Sequence, residues 1–297
     1  MTTLTTLRGI YPALVTPFAA DGTSVDTDAL KRHVGRLIDS GVHGLIVGGT
    51  TGEFTTLSLA ERKVVHETAV RAADGRVPVV VQTGALSTED AVDLALHAES
   101  IGADGIMVIA PFYEGLTFDE VKQYFRDITS VTSLPVMFYH FPDATLITLS
   151  PAQFAELAEI SGIASVKFSS YETEVFEAAR EAVSGKLQII NGIDTEMLTS
   201  LSSGAGAVVL GTANVVPKHA VALFNAVTAG DEERVNELWA GMQPLLEYIE
   251  QGKYVHKVKA ALDVLGQSAG PVRKPLLPLP VEEHAELKRL IDALPTA

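Results

Sequence analysis

Eight short apolar runs, each followed by an amphipathic stretch, recur along the first 229 residues, and this alternation constrains the fold more than any other feature. The runs cover residues 9–16, 44–49, 78–83, 105–111, 135–139, 163–168, 187–191 and 206–210. Their length and β-branched content read as buried strands. The amphipathic stretches begin near Asp26, Ser58, Ser87, Thr117, Ser150, Glu172, Asp194 and Pro217. Four have capping-box spacing: Ser58 with Glu61, Ser87 with Asp90, Thr117 with Glu120 and Ser150 with Gln153. Asp90 is the weakest of these, because Glu or Gln is the usual partner. Strands that alternate with helices form a parallel sheet, and eight such units close into a (β/α)8 TIM barrel. An open doubly wound sheet would carry a glycine-rich turn after its first strand, where this chain has Val15-Thr16-Pro17-Phe18.

Past Ala229 the strand pattern stops. Residues 231–251, 254–265 and 281–294 read as helices, with Pro271, Pro275, Pro278 and Pro280 breaking the chain before the last. The expected organisation is a catalytic barrel over residues 1–229 and a C-terminal helical appendage over residues 230–297, packed on the barrel.

A net charge of −15 with no offsetting basic patch argues against a nucleic-acid partner. The absence of cysteine excludes disulfides, thiolate metal sites and cysteine nucleophiles. The longest apolar runs are strand-sized, well below the roughly 20 residues of a membrane span. Residues 1–8 are polar and threonine-rich, unlike a secretory leader. A cytoplasmic chain with no membrane association is expected.

Barrel chemistry gathers where strands run into the following loops. The sixth run, Ile163-Ala164-Ser165-Val166-Lys167-Phe168, ends in a lysine. Burying an ammonium is costly, and a lysine kept neutral by its surroundings is a nucleophile that forms Schiff bases with carbonyl substrates. A lysine that reaches out to water is the alternative. After the second run comes Gly48-Gly49-Thr50-Thr51-Gly52-Glu53, where glycines let backbone N–H groups approach an anion; an ordinary turn reads the same way. The fifth run ends in Phe138-Tyr139-His140, and Tyr113 follows the fourth; either tyrosine is an acid–base candidate or a packing residue. Lys31, Lys63 and Lys122 fall on helices and Lys186 and Lys218 at turns. His33, His66 and His97 are helical singles without metal-ligand spacing, so no metal is expected.

Taken in order, Gly-Thr-Thr-Gly-Glu, the tyrosine at 139 and the lysine at 167 resemble the dihydrodipicolinate synthase / N-acetylneuraminate lyase family. The resemblance runs the length of the chain, from Gly9-Ile10-Tyr11-Pro12 to the proline-rich residues 273–280. It implies a class I, cofactor-free enzyme in which Lys167 joins the keto carbon of pyruvate or another 2-oxo acid. Tyr139 would then move protons. Thr50 and Tyr113 would complete a hydroxyl relay, Tyr113 reaching in from a neighbouring subunit of a homotetramer arranged as a dimer of dimers. Thr50 and Thr51 would hold the carboxylate, and Glu53 would hold its loop.

The synthase branch of that family has an arginine where this chain has Ala144, which favours the lyase and 2-keto-3-deoxygluconate aldolase branches. Lys167-Phe168-Ser169 and Asn191-Gly192-Ile193-Asp194 look lyase-like. They offer Ser169, Gly192 and Asp194, with Gly211, to a hydroxylated tail. Thr195 stands where the lyase has glutamate, Gly211 where it has serine, and His140 where asparagine is common. The expected activity is an aldolase or lyase acting on a hydroxylated 2-oxo acid. The alternatives are 4-hydroxy-tetrahydrodipicolinate synthase, a dehydratase of the same family, a barrel enzyme for phosphorylated substrates, and a catalytically silent keto-acid sensor.

Overall fold

The computed structural model describes residues 6–171 and 173–297; the helix start expected near Glu172 and residues 1–5 of the polar N-terminal stretch lie outside the described residues. Eight strands form one parallel sheet: β1 (Gly9–Pro12), β2 (Leu45–Val47), β3 (Val79–Gln82), β4 (Gly105–Ile109), β5 (Val136–His140), β6 (Ile163–Phe168), β7 (Gln188–Asn191) and β8 (Ala207–Leu210). They pair in chain order from β2 to β8, and β8 pairs with β1. A parallel bridge between Ala13 and Ile46 closes the ring, with Leu14 N–H donating to the Ile46 carbonyl at 2.8 Å. The result is the (β/α)8 barrel that the alternation predicts.

Helices α1 (Thr27–Asp39), α2 (Leu59–Ala73), α3 (Thr88–Ser100) and α4 (Phe118–Thr129) follow the first four strands. A short α5 (Pro142–Thr145) precedes α6 (Pro151–Leu157), and α7 (Thr173–Ala182), α8 (Met197–Ser202) and α9 (Pro217–Ala229) complete the wrap. Ser58, Thr117 and Ser150 form reciprocal capping boxes. Ser87 accepts from the N–H of Asp90 without the return bond, as expected of the shorter aspartate. One start differs from expectation. The eighth helical stretch begins at Met197 rather than near Asp194, because the Asp194 carboxylate is committed to Thr212 and Tyr254 and cannot cap a helix.

Alternation along the strands sorts side chains between two apolar layers. Ile106 and Val108 of β4 and Val136 and Phe138 of β5 face the helices. Met107, Ile109, Met137 and Tyr139 fill the barrel interior with Ile190 and Val209. In β6 the register slips by one residue between Val136–Ile163 and Met137–Ser165, leaving Ala164 unpaired. That bulge lets Ile163 pack outward while Ser165 and Lys167 pair with Met137 and Tyr139, residues that point inward.

Beyond the barrel lie α10 (Glu232–Glu250), α11 (Tyr254–Val264) and α12 (Val281–Asp292). Leu238 and Leu245 of α10 and Leu287 of α12 share a buried cluster with Val208 and Leu210 of β8 and Leu223 of α9. At roughly 25 cal/mol per Å² of apolar area removed from water, continuous burial of this kind fixes the C-terminal helices against β8 and α9. No helix among the described residues is long and apolar enough to cross a membrane.

Candidate active site

The barrel opens into a cavity of about 200 Å³ at the C-terminal ends of its strands. Lys167 lies on its wall and is 6% exposed. Lys167 and Tyr139 are register partners on adjacent strands, and the lysine Nζ sits 3.7 Å from the centroid of the tyrosine ring. Phe141 stacks on that ring at 5.6 Å with planes 15° apart. The tyrosine is therefore held between an aromatic face and the lysine, with its position set by packing.

Lys167 Nζ donates to Ser169 Oγ at 3.1 Å, and Ser169 passes a hydrogen bond to the Gly192 carbonyl at 3.2 Å. Gly192 lets Lys167 and Ser169 pack against the backbone. A Cβ there would lie 2.8 Å from Lys167 Cε and 2.9 Å from its Nζ, and closer still to Ser169 Oγ. Asn191 stabilises the turn by bonding both ways with Ile193, 2.7 and 3.0 Å.

Gly49, Thr50 and Thr51 form the opposite wall. Their turn is tied by Gly52 N–H to Gly49 O and Glu53 N–H to Thr50 O, 3.0 Å each, and by the Thr16 hydroxyl to Gly52 O at 2.7 Å. Glu53 takes a left-handed backbone, φ 56°, and turns its carboxylate away from the cavity toward Lys259 and Arg273.

Asp194 lies on the wall after β7 and is buried, 2% exposed. Its Oδ1 accepts from the Thr212 N–H at 2.9 Å and from the Thr212 hydroxyl. Its Oδ2 accepts from the Tyr254 hydroxyl at 2.5 Å. Burial raises the Asp194 pKa, and the donated hydrogen bonds and the charge of Lys167 partly offset it. Burial, then the neighbouring Asp194 charge and the hydrogen bond, pushes the Tyr254 hydroxyl well above its ordinary range. Glu250 also borders the cavity, and burial followed by the charge of Asp194 raises it to about 7.

Of the residues singled out in the sequence, Lys167, Tyr139, Thr50, Thr51, Ser169, Gly192, Asp194 and Gly211 border one cavity. Tyr113 does not. It is 83% exposed beside Pro111 and Leu116, in a separate surface depression of its own chain. His140 points away from the cavity into an aromatic nest of Phe138, Phe154 and Phe168, and burial lowers it to about 4. Sequence reasoning missed Glu250 and Tyr254, which arrive from α10 and α11, as well as the stacking partner Phe141. It also missed two further buried lysines: Lys257 bonds the Tyr248 carbonyl at 2.6 Å, and Lys259 pairs with Glu53. Phe141 stood two residues past a chosen tyrosine, but nothing local marked the residues from the last helices.

No group of three or more metal-binding side chains occurs among the described residues. His33, for example, pairs with Asn214 at 2.7 Å.

A parallel barrel with a buried lysine, a tyrosine and paired threonines around one cavity at its C-terminal face has the layout of a barrel enzyme. The chain matches the Dihydrodipicolinate synthetase family over residues 6–294. It is 36% identical over 288 residues to a 4-hydroxy-tetrahydrodipicolinate synthase from Methanothrix thermoacetophila, covering 97% of each chain. It is 37% identical over 282 residues to an uncharacterized DapA-like lyase of Halobacterium salinarum, covering 95% of this chain and 92% of that one. The crystal structure of a chloride-inhibited dihydrodipicolinate synthase from Acinetobacter baumannii, complexed with pyruvate, superposes with a TM-score of 0.92 at 30% identity, covering 97% of this chain and 99% of that one. The chain belongs to the dihydrodipicolinate synthetase family.

Proposed function

We propose that this protein is a class I lyase in which Lys167 forms a Schiff base with pyruvate or another 2-oxo acid. The observation that carries the reading is the placement of Lys167 Nζ: buried at the end of β6, 3.1 Å from Ser169 Oγ and over the Tyr139 ring. The binding of pyruvate by the Acinetobacter relative supports the same substrate class here. The nitrogen lone pair of Lys167 adds to the C2 ketone, and water leaves to give an iminium. That cation accepts the electron pair released when the C3–C4 bond breaks, as the C4 hydroxyl gives up its proton and C4 leaves as an aldehyde. In the cleavage direction the resulting enamine takes a proton at C3, and hydrolysis frees pyruvate and Lys167. Tyr139 is the proton carrier in this scheme. Thr50 and Thr51 hold the keto-acid carboxylate, and Tyr113 serves the cavity of a neighbouring subunit.

For the second substrate we propose a hydroxylated carbon chain. Among the described residues bordering the cavity, Asp143, Asp194 and Glu250 are acidic and Lys167 is the one cation. Such a lining disfavours a second carboxylate. The name of the Methanothrix relative supports a different reading, condensation as a 4-hydroxy-tetrahydrodipicolinate synthase, and the relatives' names favour it over cleavage.

Two measurements test the proposal. Borohydride with pyruvate should add a reduced pyruvyl mass to the peptide containing Lys167, and undiminished trapping in Lys167→Ala would remove the assignment. Retro-aldol assays on deoxy-sugar acids then separate the branches from pyruvate condensation with aspartate semialdehyde. Efficient condensation with silence in the retro-aldol assays establishes the synthase reading.

A further inference from the structure

Two departures from the lyase pattern meet the C-terminal helices inside the cavity. Thr195, in the place of a glutamate, donates its hydroxyl to Glu250 Oε2 at 2.6 Å. Gly211, in the place of a serine, leaves room for Tyr254: a Cβ at 211 would sit 2.8 Å from two carbons of the tyrosine ring. A carboxylate and a hydroxyl missing from the loops after β7 and β8 are thus supplied by α10 and the start of α11.

Glu250 is bound on both oxygens, since its Oε1 accepts the Asp194 N–H at 2.7 Å. It therefore holds the loop that carries Gly192 and Asp194, and it places a second carboxylate beside Asp194 at the cavity wall. Titratable groups meet the pair from several elements: Tyr254 from α11 and Lys167 from β6 act on Asp194, while Tyr171, in the loop after β6, is itself raised by burial and by the charges of Glu250, Asp194, Asp143 of α5 and Glu196 next to α8. Lys167 is the sole cation in this set.

We propose that Glu250 is a specificity-determining residue of this cavity: with Asp194 it requires the second substrate to present hydroxyl donors there, and it disfavours a second anionic group. The proposal rests on Lys167 engaging the 2-oxo acid, and its test separates the two. Glu250→Gln keeps the shape. The amide oxygen can accept from the Asp194 N–H, and the amide N–H can donate to a rotated Thr195 hydroxyl, so the substitution removes charge while retaining both contacts. Glu250→Asp keeps the charge.

Pyruvate-loaded enzyme is given glyceraldehyde, uncharged and hydroxylated, or succinate semialdehyde, which carries a carboxylate, and kcat/KM is measured for each from about pH 6 to about pH 8. In the native protein the preference for glyceraldehyde should grow about tenfold across that range, as Glu250 ionises. In Glu250→Gln the preference at the upper pH should fall by about tenfold or more and lose its pH dependence, while Glu250→Asp retains it. Borohydride trapping of pyruvate should occur in all three, showing that Lys167 still engages the keto acid. An unchanged preference and pH course in Glu250→Gln, a flat course in Glu250→Asp, or no preference in the native protein would each overturn the proposal. Absence of trapping in the native protein would instead overturn the assignment of Lys167.

Discussion

Glu53 Oε1 and Lys259 Nζ form an ion pair at 2.6 Å, with the two side chains 1% and 3% exposed. The pair joins the threonine loop after β2 to α11, and Glu53 Oε2 accepts the Arg273 N–H at 2.8 Å. Lys259 also lies over the Phe18 ring, 4.2 Å from its centroid. One end of the cavity wall is thereby fastened to residues more than 200 positions later in the chain.

Breaking that pair from one side leaves an uncompensated buried charge, which typically costs about 3–5 kcal/mol. Lys259→Ala should lower the unfolding free energy by that amount in urea titrations. Glu53→Gln combined with Lys259→Met should recover most of the loss, because no charge then remains buried. A loss for Lys259→Ala below about 1 kcal/mol, the range of exposed pairs, would show that water reaches the site.

Tyr139→Phe removes a hydroxyl and keeps the ring that packs between Phe141 and Lys167. If Tyr139 carries protons, turnover should fall by about 10²–10⁴-fold with little change in keto-acid affinity. Single-turnover kinetics would reveal the split; weakened affinity at normal turnover would make Tyr139 a binding residue.

Gly192→Ala places a methyl group against Lys167 Cε and Nζ and Ser169 Oγ. Overpacking of this kind costs about 1–3 kcal/mol, so pyruvate trapping should slow by roughly ten- to a hundredfold as the lysine is displaced. Gly115→Ala is the control, because a Cβ there meets nothing within 4 Å. Equal trapping by both variants would mean that the wall after β7 yields easily.

Stability should also carry a signature of Glu250. Its folded pKa of about 7 exceeds the ordinary 4.5, so the folded state binds the proton more tightly. Its contribution is complete below about pH 4.5 and is lost as the pH rises through about 7. Asp194, also raised, acts with the same sign. His33 and His140, both lowered to about 4, act with the opposite sign as the pH falls below about 6.5. The raw profile mixes these groups, so the readout is the difference between native protein and Glu250→Gln. Urea midpoints should show the native protein losing stability relative to the variant between about pH 4.5 and pH 7. A difference that does not change with pH would place Glu250 in ordinary solvent.

The sequence by itself determined the barrel, because strand and helix periods, caps and turn residues are local signals that repeat eight times in register with the chain. It also placed Lys167, Tyr139 and Thr50 at strand ends, and strand ends on one face of a parallel barrel converge. Tertiary structure alone decided which side chains turn inward. The unpaired Ala164 sets the inward facing of Lys167, and a one-residue slip in pairing leaves no mark in composition. It also decided that Glu250 and Tyr254, from helices whose local pattern says only that they are amphipathic, reach Asp194 and Gly211. Contacts between residues 43 to 60 positions apart depend on how α10 and α11 dock, and docking is set by the summed burial of apolar faces, not by any neighbouring residue.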